Sequence, residues 1–89
     1  MVLGVFMNQE KLISKLKRFK IPDSEYSLWE PHSHDSLYLE KADMCWNVYK
    51  CFGDGRRKNL GEFYSESDAM SYLFYLLMKN HYDIKKRWW

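Results

Sequence analysis

No run in this 89-residue chain approaches the roughly 20 consecutive apolar residues that a membrane-spanning helix needs. The opening MVLGVFMNQE carries neither a basic leader nor a small-residue cleavage site, so a soluble, cytoplasmic protein is expected. Cysteine is scarce: Cys45 and Cys51 are the two thiols. On one extended strand they would stand about 20 Å apart, beyond disulfide reach. C-x5-C with its nearest histidines upstream also fits no common zinc spacing. Free thiols in a reducing compartment are expected, with no metal and no cofactor. Charge of one sign is not in large excess either: fourteen Lys and Arg against twelve Asp and Glu leave +2, too little to require a polyanionic partner. Internal repeats, low-complexity tracts, a Ser-His-Asp pattern, a Gly-rich phosphate loop and an H-E-x-x-H helix are all missing, so catalysis is not expected.

What is abundant is aromatic surface. Four Trp, seven Tyr and five Phe make up 18% of the chain, more than one small core can enclose. The length allows one domain over residues 1–89, because two separately cored halves would each bury too little surface to stay folded. Some rings are therefore expected outside, where large contact area at low entropic cost suits them to anchor partners.

The spacing of Leu12, Ile13, Leu16 and Phe19 predicts an amphipathic helix from Asn8 to Phe19, capped by Asn8 and left at Ile21-Pro22. A turn at Pro22 to Glu25 and a short edge strand at Tyr26-Ser27-Leu28 follow, then a loop from Glu30 to Ser36. Leu37 to Glu40 and Cys45 to Phe52 read as strands joined through Lys41 to Met44. On the second, Trp46, Val48, Lys50 and Phe52 share the core-like face, with Asn47, Tyr49 and the thiols opposite. Gly53-Asp54-Gly55 reverses the chain into a third strand, about Asn59 to Tyr64. Ser65-Glu66-Ser67-Asp68 then carries the S-x-x-D cap of a second helix, apolar nearly all round. The expected class is α+β, an antiparallel sheet of three to four strands between an N-terminal and a C-terminal helix, in α-β-β-β-α order. The tail, about 82–89, is expected to fray, with Lys85 to Trp89 a terminus and not a membrane anchor.

Two clusters carry chemistry. His32-Ser33-His34-Asp35 holds two imidazoles and a carboxylate, the groups that general acid and base work in RNA cleavage would use, although loop histidines are more often simply solvated. Arg56, Arg57 and Lys58, with Trp46, Tyr49 and Tyr64 on the flanking strands, combine cations and rings as a single-stranded nucleic-acid module does. A charged hairpin tip that keeps an edge soluble is the plainer reading, so nucleic acid is the alternative partner and not the first.

Taken in order, the Lys/Leu helix ending in Ile21-Pro22, Glu25 to Leu28, Leu37 to Lys41, Trp46 to Tyr49 with its charged Gly turn, and Phe63 to Ala69 opening a Leu/Tyr helix resemble small immunity proteins of bacterial polymorphic toxin systems, including contact-dependent growth inhibition. The likeness runs from about Lys11 to Leu77. It implies a stoichiometric inhibitor that binds a cognate toxin domain one to one, commonly a nuclease, and covers its active site or substrate-docking surface. The expected toxin-binding residues are the acids Asp23, Glu25, Glu30 and Asp35, set against a basic cleft, with Trp29 and Tyr38 as aromatic anchors and His32 and His34 between them.

Overall fold

Asn8 stops the backbone short of helical geometry and its side-chain oxygen accepts the amide hydrogen of Lys11 at 2.8 Å, which starts α1 at Gln9–Arg18. This is a computed structural model, and it describes residues 7–82. The expectations for the tail beyond Tyr82, Lys85 to Trp89 included, fall outside those residues. At the other end of α1 Lys20 takes a left-handed backbone (φ 59°), so that Ile21 donates its amide to the Leu16 carbonyl at 2.9 Å and Lys20 to that of Lys17 at 3.0 Å. This Schellman ending turns the chain sharply before Pro22.

After a 3-10 turn at Asp23–Glu25 come β1 (Tyr26–Leu28), β2 (Ser36–Lys41), β3 (Trp46–Cys51), β4 (Arg57–Phe63) and α2 (Glu66–Tyr82). Ser65 caps α2: its hydroxyl accepts from the Asp68 amide at 3.3 Å and its carbonyl from Ala69 at 3.1 Å. The sheet order is β1-β2-β3-β4. The class is α+β as expected, but the sheet is mixed. β2, β3 and β4 pair antiparallel, whereas β1 joins β2 parallel, Tyr26 beside Leu37 and Leu28 beside Leu39. Parallel neighbours ordinarily need a crossover of about a dozen residues or more. Here residues 29–35 suffice, because β1 spans only three residues and the loop has little distance to recover.

The strand ends also differ by a residue or two from the sequence reading. Phe52 donates to the Arg56 carbonyl at 2.8 Å and Gly55 to that of Phe52 at 3.0 Å, so the turn closes tightly and β4 starts at Arg57, opposite Cys51, and not at Asn59. Further along, Leu60 is extra: Tyr49 pairs with Asn59 and Val48 with Gly61, a bulge that the Asn59 side chain secures by accepting the Gly61 amide at 2.8 Å.

One sheet face is roofed by both helices. Leu12 and Leu16 of α1, Met70, Leu73 and Leu77 of α2, and Leu39 and Val48 of the sheet are fully buried together. Met7 donates its amide to the Ser67 hydroxyl at 2.8 Å, and the Tyr82 hydroxyl donates to the Phe19 carbonyl at 2.8 Å. The helices therefore lie side by side and run in the same direction. Their contact explains the wide apolar arc of α2, where Phe74 meets Phe19 with ring centroids 6.1 Å apart. No helix among the described residues is long and apolar enough to cross a membrane.

Candidate functional site

The acidic and aromatic residues singled out in the sequence gather along β1, on the 3-10 turn before it and the loop that returns beside it. His32 and His34 are the fasteners. Their rings stack at 4.7 Å, 15° from parallel. His32 Nε2 lies 2.9 Å from the Tyr26 carbonyl and 3.3 Å from that of Asp23, and His34 Nε2 lies 2.8 Å from that of Ser24. A carbonyl only accepts, so the hydrogen of each ring sits on Nε2. The loop is thus clasped to the turn, and a backbone acceptor of the sheet edge is satisfied. The acid and base role considered for this cluster has a structural competitor: both Nε2 atoms already hold the backbone.

Asp35 is committed in the same way. Its Oδ1 accepts the Gly53 amide at 2.6 Å, tying the loop to the β3–β4 turn. Tyr38 departs from its expected place as a surface anchor. It is 4% exposed, on the sheet face opposite the helices, with its hydroxyl on the Trp29 carbonyl at 3.4 Å. Alternation along β2 sets Leu37 and Leu39 into the core and turns Tyr38 the other way, where it stacks on Tyr49 at 6.0 Å. Tyr38 supports the site from beneath.

Asp23, Trp29 and Glu30 are exposed. Glu25 is half-buried, and its Oε1 is buried without a hydrogen-bond partner. Trp29 is the unusual member. Its backbone is left-handed (φ 75°), a conformation that costs a bulky residue about 1–2 kcal/mol. Its amide still donates to the Leu39 carbonyl at 2.9 Å, the last rung of β1, while its ring turns aside, 36% exposed, with Nε1–H on Gln9 Oε1 at 3.2 Å. Gln9 in turn lines an open groove of about 620 Å³ between α1, which contributes Gln9, Ile13 and Lys17, and the strip holding Asp23, Leu28 and His34. The sequence reading missed the α1 wall. In the sequence Ile13 shares the apolar stripe with Leu12 and Leu16, and only the packing shows that it is half-buried while they are fully buried.

The alternative platform is divided. Trp46 faces the helices and lies on the opposite side of the sheet from Tyr49, as alternation requires. Arg56 pairs with Asp54 at 2.7 Å, and the Arg56 amide, followed by its guanidinium, holds the Asp54 carboxyl below its ordinary range. The Arg57 guanidinium lies 4.9 Å from the centre of the Tyr49 ring and 5.9 Å from that of Tyr38, with Glu40 at 3.9 Å. Glu40 also accepts from the Tyr49 hydroxyl at 3.3 Å. Burial first, then the Glu40 charge, raises both phenols above their ordinary value.

Both thiols are free. Burial pushes Cys51 up, only partly offset by Arg57 and Lys50. Cys45 is raised by desolvation and then by the Glu62 carboxylate. Neither is set up as a thiolate nucleophile. Among the described residues no group of three or more His, Cys, Asp or Glu is placed to hold a metal ion. No family model matches the chain, and neither a curated protein nor a solved structure matches it.

Proposed function

We propose that this chain is a small immunity protein of the polymorphic-toxin kind, acting in the cytoplasm by binding a cognate toxin domain of the nuclease class one to one and blocking its active site or substrate-docking surface. The observation that carries the reading is Trp29. A large ring is held partly exposed on a strained backbone, bonded to Gln9 of the groove wall and next in the chain to the exposed acid Glu30. Aromatic anchors of this sort dominate the energetics of protein interfaces, and flanking acids favour a basic cleft through both steering and register.

The His32 and His34 clasp supports the same reading from another side. A loop already ordered by its own side chains loses less entropy on docking, which favours tight inhibition. Asp35 is exposed and also part of that scaffold through its bond to Gly53. The test is protection of cells. The toxin domain encoded by the adjacent reading frame is induced with and without this chain, and with Trp29→Ala combined with Glu30→Gln. Full protection by the wild type and loss of protection by a normally folded double variant support the reading. Failure of the wild type to protect removes it.

A further inference from the structure

The sheet has one long open edge. β1 spans three residues and its Tyr26 carbonyl is taken by His32, whereas β4 runs for seven residues along the opposite side. Phe52, continuing β3, turns its amide to the Arg56 carbonyl, so the even-numbered residues of β3 address β4 and the odd-numbered ones β2. Arg57, Asn59 and Glu62 stand beside the odd-numbered Cys51, Tyr49 and Asn47, and therefore turn their N–H and C=O groups outward. Five residues apart, Arg57 and Glu62 would occupy opposite faces of a regular strand. The extra Leu60 brings both onto the face away from the helices. Tyr64, 75% exposed, follows and donates to Glu62 at 2.8 Å. Over the same edge the Tyr72 hydroxyl of α2 donates to the Leu60 carbonyl at 3.3 Å, and the ring meets Phe63 at 5.1 Å. Tyr75, 53% exposed, stacks on Tyr72 at 6.4 Å, and the Lys79 ammonium lies 5.7 Å from its centre. The exposed Asp68 precedes Tyr72 by one turn. Asp68, Tyr72, Tyr75 and Lys79 thus form one line along the β4 flank of α2.

We propose that this edge binds a second copy of the chain about a two-fold axis, β4 against β4 and α2 against α2, so that two four-stranded sheets become one of eight. Both lines of residues complement themselves when reversed, as such a symmetric contact requires. On the strand, Arg57 of one copy stands opposite Glu62 of the other, and the two exchange the N–H and C=O groups already turned outward. Arg57 keeps its place on Tyr49, since its contact with Glu40 is a single long one at 3.9 Å. Tyr64 meets the basic turn at Arg56 of the second copy. On the helix, Tyr72 faces Tyr75 and Asp68 faces Lys79, each pairing made twice. The spacing agrees. Three strand separations, about 14 Å, divide the two copies of β3 and the α2 helices that lie over them, while closely packed helices stand about 8–10 Å apart. The rings of Tyr72 and Tyr75 fill the difference. β1 and Trp29 are left at the two far ends of the joined sheet, so this inference does not rest on toxin binding.

Sedimentation equilibrium of the full chain over a range of concentrations tests it. Wild type is expected to pass from 10.9 kDa to twice that mass with a Kd on the order of 10 μM, as suits an interface at the lower end of the specific size range. Tyr75→Glu, at an exposed position, should weaken the dimer at least about tenfold, and so should Lys79→Glu or Asp68→Lys, each of which sets like charges face to face. Asp68→Lys combined with Lys79→Glu should restore it, because opposite charges meet again with their places exchanged. Hydrogen exchange at Arg57, Asn59 and Glu62 should slow in step with the dimer as the protein is concentrated. A monomer at about 1 mM overturns the proposal, being weaker than any specific contact of this size. A dimer indifferent to Tyr75→Glu and to both single charge changes also overturns it, since another face would then be the interface. So does a combined charge change that leaves a normally folded monomer. Loss of toxin binding by Tyr75→Glu in a chain that stays monomeric would assign this edge to the toxin and not to a second copy.

Discussion

Asp35 Oδ1 holds the backbone amide of Gly53 at 2.6 Å, eighteen residues away along the chain, and so joins the loop beside β1 to the turn between β3 and β4. A carboxylate on a backbone N–H is a charge-assisted bond, stronger than a neutral one even at an exposed position. Asp35→Ala should lower stability by about 1 kcal/mol in urea denaturation and speed hydrogen exchange at Gly53 ahead of the amides of β3. An unchanged Gly53 exchange rate would show that the two segments are held by something else.

The ends of α1 give two opposite expectations. Asn8→Ala removes the acceptor for the Lys11 amide and should cost about 1 kcal/mol. Lys20→Gly relieves a left-handed backbone at the helix exit. The relief of about 1–2 kcal/mol exceeds the added unfolded-state entropy of glycine, so a net gain of about 0.5 kcal/mol should follow. Thermal melts of the two variants against wild type check both signs.

Gly61 lies against the packed rings of Phe63 and Tyr72. A Cβ there would sit 2.9 Å from Phe63 Cε2 and 3.3 Å from Tyr72 Cε2. Both rings are half-buried and packed on each other, so neither retreats freely. Gly61→Ala should destabilise by about 1–3 kcal/mol, read as a lower denaturation midpoint.

Alkali gives a third kind of test. Burial raises the phenols of Tyr26, Tyr38 and Tyr49 above the ordinary value of 10.0, so the folded protein keeps these protons after the unfolded chain has begun to release its own. Above that ordinary value the native state then binds more protons, and stability falls as pH rises; below it the contribution is complete. Urea midpoints between about pH 9 and pH 11 should decline, and less steeply for Tyr38→Phe. A midpoint constant over that span would contradict the desolvation of these phenols.

The elements with local chemistry were legible. The α1 stripe and the caps Asn8 and Ser65 each act within three or four residues, and Gly53-Asp54-Gly55 announces its own reversal. The parallel placement of β1 was not legible, because it depends on His32 and His34 reaching carbonyls six to ten residues back along the chain. Nor could alternation say that Tyr38 is covered while Trp29 is not. That follows from one left-handed residue at the end of β1, which turns the indole toward Gln9. The acids from Asp23 to Asp35 were visible in composition, but the groove that Asp23 lines exists only once Ile13 and Lys17 of α1 are packed beside it.

The most direct measurement is calorimetric titration of the purified adjacent-frame toxin domain with wild type and with Trp29→Ala. One-to-one binding that weakens at least tenfold, about 1.4 kcal/mol, when the indole is removed is the expected result. Absence of binding by the wild type, or identical affinity for a folded Trp29→Ala protein, would contradict the account.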